Sequence, residues 1–167
     1  MFEALSKEKL FSLLKAYARI FQILDGFWFL GVEDKFGVHI ATEIDGIAWE
    51  NMAVREAKIL KDALGLKGDN IETLIETLRH TPFMLTVKFK FERESENDVI
   101  LRVVECKPQM ARVRSGKPIF PCKPVGFNYF KKFAETINPK IRVECLGCPP
   151  DQPPKEYWCA WRFKLEE

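Results

Sequence analysis

Apolar residues recur every three or four positions near the start of the chain, which is the spacing of one face of a helix. The run that begins after Ser6 contains Leu10, Leu13, Leu14, Tyr17, Phe21 and Leu24. The pattern predicts a helix from Ser6 to Asp25, with Ser6 as the N-cap and this apolar face packed into a core. Beyond Asp25 the helix either runs on or kinks through a stretch that contains Gly26, Gly31 and Gly37.

Two more helices are predicted before the pattern changes. One runs from about Ile47 to Leu64 and ends at Gly65, because glycine is common just past a helix C-terminus. The next begins at Asp69, which stands three residues before Glu72 in the spacing of a capping box, and Pro82 stops it.

Alternation replaces the helical period after residue 82. Apolar side chains occupy every second position from Leu85 to Phe91, which is typical of a strand with one buried face. Residues 98–105 form its predicted hairpin partner. After an irregular stretch, residues 125–137 predict an amphipathic helix, and residues 140–146 and 156–165 predict two further strands.

This order of elements predicts an α+β fold. N-terminal helices precede a strand-strand-helix-strand-strand unit, which sequential pairing turns into two antiparallel hairpins in one sheet covered by helices. We expect one domain over residues 1–167, with a helical part at 1–82 and a sheet part with one helix at 83–167. A chain of 167 residues buries enough surface to fold without disulfides or a metal.

The charges exclude some partners. Lysine and arginine total 26 against 24 aspartates and glutamates, and the two signs alternate along the chain, so no field suited to nucleic acid is expected. The N-terminal residues lack a secretory signal, and no apolar run is long enough to span a bilayer. We therefore expect a cytoplasmic protein with no membrane partner.

The five cysteines carry the candidate chemistry. An odd number without an export signal favours reduced thiols, which leaves core packing, nucleophilic attack and metal ligation as open alternatives. Strand alternation points Cys159 inward. Cys122 stands immediately before a predicted helix, where the helix dipole and free backbone N–H groups acidify a thiol, so it is the first candidate for a thiolate.

Several of these thiols are expected at one end of the sheet, because they sit near strand ends, a turn and a helix start. Four thiolates suit zinc or an iron–sulfur cluster, both of which take tetrahedral sulfur ligation. If the thiols bind a metal, the predicted cofactor is zinc and the alternative is an iron–sulfur cluster. If they pack in the core or act as a nucleophile, no metal is expected. The predicted ligands are Cys106, Cys122, Cys148 and Cys159, with Cys145 as a substitute.

A pocket and an anion clamp are two further candidates. Aromatic residues facing the sheet either fill the core or line an apolar ligand pocket, and those assigned to the pocket are Trp28, Trp49, Phe127 and Phe130. Arg112 and Arg114 would point the same way in an extended backbone and hold a carboxylate, unless they lie in a solvated loop. The acidic residues Glu33, Asp34, Glu43 and Asp45 either bind a cation or form a solvated surface.

The stretches "VVECKPQMARVRSGKPIFPCKPVGFNYF" and "IRVECLGCPPDQPPKEYWCAWRFKL" resemble an uncharacterised family of prokaryotic proteins, found mainly in anaerobes. The cysteine order is also similar to that of the L-2-amino-thiazoline-4-carboxylic acid hydrolase family, with Cys106, Cys122 and Cys159 at the matching positions. Val125 stands where that family is expected to have an aspartate. The closing cysteine hairpin resembles the 4-vinyl reductase domain, a small-molecule-binding fold related to vesicle-tethering domains.

The residues and these resemblances together lead to three candidate functions. The first is a small-molecule-binding domain with a cysteine-held metal, in a sensory or accessory role in anaerobic metabolism. The second is a ring-opening hydrolase in which Cys122 or Cys106 is the nucleophile and Arg112 or Arg114 holds a substrate carboxylate. The third is a non-catalytic subunit, as a homodimer or with a protein partner. Whether the protein is an enzyme is left open by the sequence.

Overall fold

The computed structural model describes residues 4–151 and 156–166, so part of the predicted 147–155 connection lies outside them. Within these ranges the chain forms four helices and four strands: α1 Lys7–Ala63, α2 Ile71–Arg79, β1 Lys88–Ser95, β2 Asp98–Glu105, α3 Lys107–Arg114, α4 Lys123–Ile137, β3 Ile141–Gly147 and β4 Cys159–Leu165. The predicted α+β class is confirmed.

Helix α1 folds back on itself at Gly37. A straight helix would place Phe21 and Trp49 about 42 Å apart, because each residue advances the axis by about 1.5 Å. Their rings instead meet edge to face, with centroids 6.1 Å apart. Gly37 has φ 82° and ψ 164°, dihedrals that belong almost only to glycine. The result is a hairpin of two arms, residues 7–36 (the first arm) and 38–63 (the second arm).

The predicted start of α1 is confirmed, and after Asp25 the helix runs on as far as its kink at Gly37, in line with the two alternatives that the sequence left open. Ser6 is the N-cap, and its hydroxyl oxygen accepts a hydrogen bond from the Lys9 backbone N–H at 3.3 Å. Gly26 and Gly31 lie inside the helix. Glycine costs about 1 kcal/mol in a helix interior, which lowers helix propensity without forbidding the helix.

The apolar face predicted for the first arm does not pack into a core. Leu14, Tyr17 and Leu24 are 57%, 53% and 66% exposed. The first arm is an outer layer that leaves this row of side chains uncovered, while Phe21 packs against the second arm. Of the helices that the structure describes, none combines the length and the apolar character needed to cross a bilayer.

Helix α2 begins one residue later than the capping-box pattern predicts. Asn70 is the N-cap, and its Oδ1 accepts a hydrogen bond from the Thr73 backbone N–H at 3.0 Å. Asp69 is therefore not the cap. Asparagine and aspartate are about equally good N-caps, so the sequence alone does not separate the two positions.

The strands pair in the order β1-β2-β4-β3, with every neighbouring pair antiparallel. The two predicted hairpins are confirmed, and they join along β2 and β4, where Leu101 lies opposite Trp161. Trp161 and Phe163 are fully buried, as the alternation along β4 predicts.

Helix α4 lies between the sheet and α1. On one side Phe130 contacts the rings of Trp161 and Phe163, with centroids 5.1 Å and 5.7 Å away. On the other side Tyr129 meets Trp49 at 5.5 Å. The core therefore runs from the second arm through α4 to the inner face of the sheet.

The stretch predicted to be irregular between β2 and α4 contains the short helix α3. Pro108 stands in its first turn, where its missing N–H removes no intrahelical bond. The prolines in this stretch suggested a loop, but a proline at this position favours a helix start. Cys106 and Cys122 become the N-cap residues of α3 and α4.

Candidate functional site

A cavity of about 160 Å³ lies where α1, α4 and the sheet meet. Its walls come from both arms of α1, the starts of α3 and α4, and the strand ends. Most of the lining is aromatic, aliphatic or sulfur-containing, and the residues are Phe21, Gln22, Asp25, Asp45, Trp49, Phe83, Cys106, Pro108, Gln109, Phe120, Cys122, Val125, Gly126, Tyr129, Phe130, Cys148, Cys159 and Trp161.

Two of the four predicted pocket residues line this cavity. Trp49 and Phe130 do so, from the second arm and from α4. Trp28 is 71% exposed and Phe127 is 36% exposed, and neither belongs to the cavity wall. Trp28 lies on the outer side of the first arm. The sequence analysis placed this residue in the pocket because it did not identify the first arm as the outer layer of the fold.

Tyr129 is fixed in the cavity wall by a buried hydrogen bond. Its hydroxyl donates to Oε2 of Glu56 in the second arm, with the two oxygens 2.5 Å apart. Burial raises the pKa of the Glu56 carboxyl, and burial together with the Glu56 charge raises the pKa of Tyr129. The contact ties α4 to α1 and holds the aromatic wall formed by Trp49, Tyr129 and Phe130.

Trp161 contributes an unused hydrogen-bond donor beside the cavity. The side chain is 1% exposed, and its Nε1 has no hydrogen-bond partner among the residues that the structure describes. A buried donor without a partner costs about 1 to 3 kcal/mol, so this N–H calls for an acceptor. The ring is accommodated by Gly126, where an added Cβ would lie 2.8 Å from Trp161 Cζ2.

Two aspartates face the cavity from opposite arms of α1. Burial raises the pKa of Asp25 to about 6. Burial and then the Asp25 charge raise the pKa of Asp45 to about 7, and a hydrogen bond from Trp49 opposes both shifts. Within residues 4–151 and 156–166, neither carboxylate forms an ion pair. The sequence did not single out Asp25, because only the fold-back at Gly37 brings it to Asp45.

The structure brings the four predicted metal-ligand cysteines to the wall of this one cavity. They arrive from the end of β2, the start of α4, the turn after β3 and the start of β4: Cys106, Cys122, Cys148 and Cys159. The Sγ atoms of Cys122 and Cys148 are 3.6 Å apart. Cys145, the substitute ligand, is half-buried in β3 and is not part of the lining.

The cavity thiols differ in their electrostatics. Hydrogen bonds from Cys148, Gln109 and the backbone lower the pKa of Cys122, against the effect of its burial. Burial raises the pKa of Cys106 to about 12. Hydrogen bonds to Cys122 and Cys159 raise the pKa of Cys148, which keeps its proton. Cys122 therefore ionises before Cys106 and Cys148.

The metal part of the prediction is not supported. Among the described residues, no group of three or more histidine, cysteine, aspartate or glutamate side chains is arranged to hold a metal ion. The acidic stretch predicted as a cation site is likewise divided, because Glu33 pairs with Arg112 and Asp34 with Lys117. Convergence of the thiols onto one cavity is thus observed without an arrangement of three or more metal ligands.

The two predicted anion-binding arginines do not act as a pair. The backbone here is the helix α3 and not an extended strand, so a spacing of two turns the side chains apart. Arg112 is buried and donates to both carboxylate oxygens of Glu33 at 2.8 Å, which ties α3 to the first arm. Arg114 is exposed, and its Nε donates to the Met110 carbonyl at 3.2 Å.

Gln109 is a site residue that the sequence analysis missed. It is 2% exposed, and its amide exchanges two hydrogen bonds with the backbone of Phe120, at 2.7 Å and 2.9 Å. The same Nε2 donates to Cys122 Sγ at 3.3 Å. Gln109 lies in the first turn of α3, a helix that the sequence analysis did not predict. Glutamine is usually exposed, so nothing in the sequence marked this residue as part of a buried site.

A protein-family comparison matches residues 3–165, nearly the whole chain, to a family of unknown function. The chain belongs to the DUF6125 family. This agrees with the predicted membership of an uncharacterised family. Among curated proteins, none matches this DUF6125 chain.

Two solved structures share the fold of this DUF6125 protein. One is a trafficking protein particle complex subunit 3 from Naegleria fowleri, covalently bound to palmitic acid, with a TM-score of 0.58 and 13% identity over 92% of this chain and 97% of the other. The second is the phenol-responsive sensory domain of the transcription activator PoxR with phenol, with a TM-score of 0.53 and 15% identity over 84% of this chain and 72% of the other. Neither comparison establishes the two distant resemblances, to a 4-vinyl reductase domain and to the thiazoline hydrolase, which stay predictions.

Proposed function

We propose that this DUF6125 domain binds a small, largely apolar ring molecule in the cavity between α1, α4 and the sheet, in a sensory or accessory role. The observation that carries the proposal is the cavity itself. It is about 160 Å³ in volume, most of its wall is apolar, and Trp161, whose buried indole N–H has no partner among the described residues, belongs to that wall. Such a pocket with a few polar groups is the usual form of a small-molecule site.

The size of the cavity restricts the ligand. An apolar cavity of about 150 Å³ stays dry in water and takes up a benzene-sized guest. A single aromatic ring therefore matches the volume here, whereas a long acyl chain exceeds it. Phe21, Trp49 and Phe130 supply ring faces and edges for stacking.

The structural neighbours support a ring ligand. The PoxR sensory domain has the same fold and binds phenol, and the trafficking subunit has the same fold and carries palmitic acid. Of these two molecules, phenol is the one that suits the volume of this cavity.

The first experiment is a calorimetric titration with phenol, compared between the native chain and a cavity-filling variant. Val125 lines the cavity from α4, so Val125→Phe should abolish phenol binding. Phe127→Leu, on the same helix but outside the cavity, is the matched control and should bind phenol as the native chain does. Val125→Leu repeats the test with a smaller change. Equal phenol binding by the filled and native chains would contradict the proposal.

A cysteine-held metal is the second candidate, and the 3.6 Å separation of Cys122 and Cys148 favours it. Two sulfurs on one tetrahedral ion at about 2.3 Å lie about 3.8 Å apart. Zinc, or an iron–sulfur cluster, would require Cys106 and Cys159 to turn toward this pair. Elemental analysis of protein purified without oxygen tests this metal proposal. About one zinc per chain would support a metal role in anaerobic metabolism, whereas metal-free protein would contradict it.

The hydrolase and subunit alternatives rest on separate observations. The lowered pKa of Cys122 favours a nucleophile, but Arg112 is already engaged by Glu33 and leaves the substrate carboxylate without its proposed partner. The uncovered apolar row on the first arm favours a complex, and one structural neighbour is a complex subunit. A homodimer or protein partner stays a prediction that native mass spectrometry tests.

A further inference from the structure

The acid pair in the cavity has no counter-charge. Asp25 and Asp45 face each other across the α1 hairpin, and both line the cavity. No lysine, arginine or histidine is present among the lining residues that the structure describes. The charged neighbour that interacts with Asp45 from α4 is the Cys122 thiol, which is itself an acid.

Half-buried carboxylates without a counter-charge are costly, and a bound cation offsets that cost. The surroundings suit an organic cation better than a metal ion. Magnesium and calcium take six or more oxygen ligands, whereas here the neighbours of the two carboxylates include the aromatic rings of Phe21 and Trp49. Aromatic faces attract alkylammonium groups through cation–π contact.

We propose that the ligand of this cavity is an arylalkylamine such as a benzylamine, whose ammonium group lies between Asp25 and Asp45 beside Trp49 and whose ring fills the apolar part. This rests on the proposed function and names the class of its ligand. Anionic aromatic acids are excluded by the same pair of carboxylates. Simple phenols would fill the apolar part of the cavity but would leave the two aspartates without a counter-charge.

The unpaired Trp161 donor is an independent sign that a ligand belongs here. Trp161 stands on the sheet side of the cavity, while the two aspartates stand on the α1 side. The amine end of such a ligand would meet the two aspartates, and its ring would extend toward Trp161.

Amine binding should strengthen as pH rises through the range in which the acid pair ionises. Besides the pair, the titratable groups of the described cavity wall are the thiols of Cys106, Cys122, Cys148 and Cys159 and the phenol of Tyr129, and of these Cys122 interacts with Asp45. The pKa values of about 6 for Asp25 and about 7 for Asp45 place that range near neutrality. An alkylamine stays protonated throughout it.

The test compares benzylamine with its neutral isostere benzyl alcohol, by calorimetry at pH 8 and pH 5. At pH 8 benzylamine should bind at least about tenfold more tightly, equivalent to about 1.4 kcal/mol. The advantage should shrink at pH 5. In the double variant Asp25→Asn/Asp45→Asn, the affinity advantage of benzylamine should disappear, while the affinity for benzyl alcohol should not change. Asp62→Asn, an exposed change on the same helix, is the control.

The outcomes separate this inference from the proposed function. If benzyl alcohol and phenol bind but benzylamine binds no better, the ring site stands and the amine assignment is overturned. If none of the three binds, the proposed function itself fails. An amine advantage that survives in the double asparagine variant also overturns the inference, because the attraction would then arise elsewhere.

Discussion

The Sγ atoms of Cys122 and Cys148 lie 3.6 Å apart, although 26 positions separate the two residues in the sequence. The contact joins the start of α4 to the turn after β3. Lys123 adds to it, since its backbone N–H donates to the Pro149 carbonyl at 2.8 Å. The hydrogen bond between the two thiols lowers the pKa of Cys122 and raises that of Cys148.

Thiol reactivity should follow this order. At neutral pH iodoacetamide should alkylate Cys122 faster than Cys106, whose pKa burial raises to about 12. Gln109→Leu removes the Nε2 donor and should raise the pKa of Cys122, slowing its alkylation severalfold at pH 7. Mass spectrometry of timed digests measures each site. Faster modification of Cys106 would show that the assignment of the thiolate is wrong.

The buried pair of Arg112 and Glu33 should be important for stability. Arg112→Met leaves a carboxylate with 12% exposure without its main partner, and removing one member of such a pair costs about 3 to 5 kcal/mol. The exposed pair of Lys117 and Asp34 is the control, where Asp34→Asn should cost less than about 1 kcal/mol. Urea unfolding compares the two, and equal losses would contradict the ranking.

The same pair should make the fold sensitive to acid. Hydrogen bonds from Arg112 lower the pKa of Glu33 below its ordinary 4.5. The stabilisation is therefore present above that value and is lost as pH falls through the lowered pKa of the folded state. Unfolding free energies measured between pH 6 and pH 3 should fall more steeply in the native chain than in Glu33→Gln.

Alanine at two glycines should have opposite effects. Gly126→Ala places a Cβ 2.8 Å from the buried Trp161 ring, and such overpacking costs about 1 to 3 kcal/mol, more than the helix propensity gained. Gly31→Ala meets nothing within 4 Å in α1 and should stabilise by about 0.5 to 1 kcal/mol. Thermal melts of both variants give the comparison, in which a stabilised Gly126→Ala would be inconsistent with the described packing.

The aspartate pair should give the opposite pH dependence to Glu33. Burial raises both pKa values above the ordinary 3.8. At pH values between 3.8 and the raised pKa values, the folded state therefore binds more protons than the unfolded state. Their contribution is full below 3.8 and is lost as pH rises through about 6 and 7. Asp25→Asn/Asp45→Asn should therefore lose less stability between pH 5 and pH 8 than the native chain, as urea unfolding at both values will show.

Local patterns predicted much of the fold. The strand β2 was predicted with its observed bounds, and the helix α4 and the two hairpins followed from periods that each element carries in its own sequence. The short helix α3 was missed. Its prolines suggested an irregular loop, whereas Pro108 occupies the first turn of a helix, where proline is tolerated.

The site residues that lie at the ends of strands and helices could be predicted from the sequence. Those that come together only through the α1 hairpin could not. The gathering of Cys106, Cys122, Cys148 and Cys159 followed from their places at element ends. The partnership of Asp25 with Asp45 depends on one glycine turning a long helix back on itself, a long-range result that no window of sequence contains. Trp28 was assigned to the pocket for the same reason, since its arm was taken for an inner helix.

Occupation of the cavity by a ring ligand is tested most directly by the indole N–H resonance of Trp161 in a two-dimensional ¹⁵N–¹H spectrum, assigned by its absence in Trp161→Phe. Titration with benzylamine, and separately with phenol, should shift this resonance saturably and shift that of the cavity residue Trp49, while the exposed Trp28 indole stays in place. Resonances of Trp49 and Trp161 that do not move at millimolar ligand, or that move no more than that of Trp28, would contradict a ligand-binding cavity.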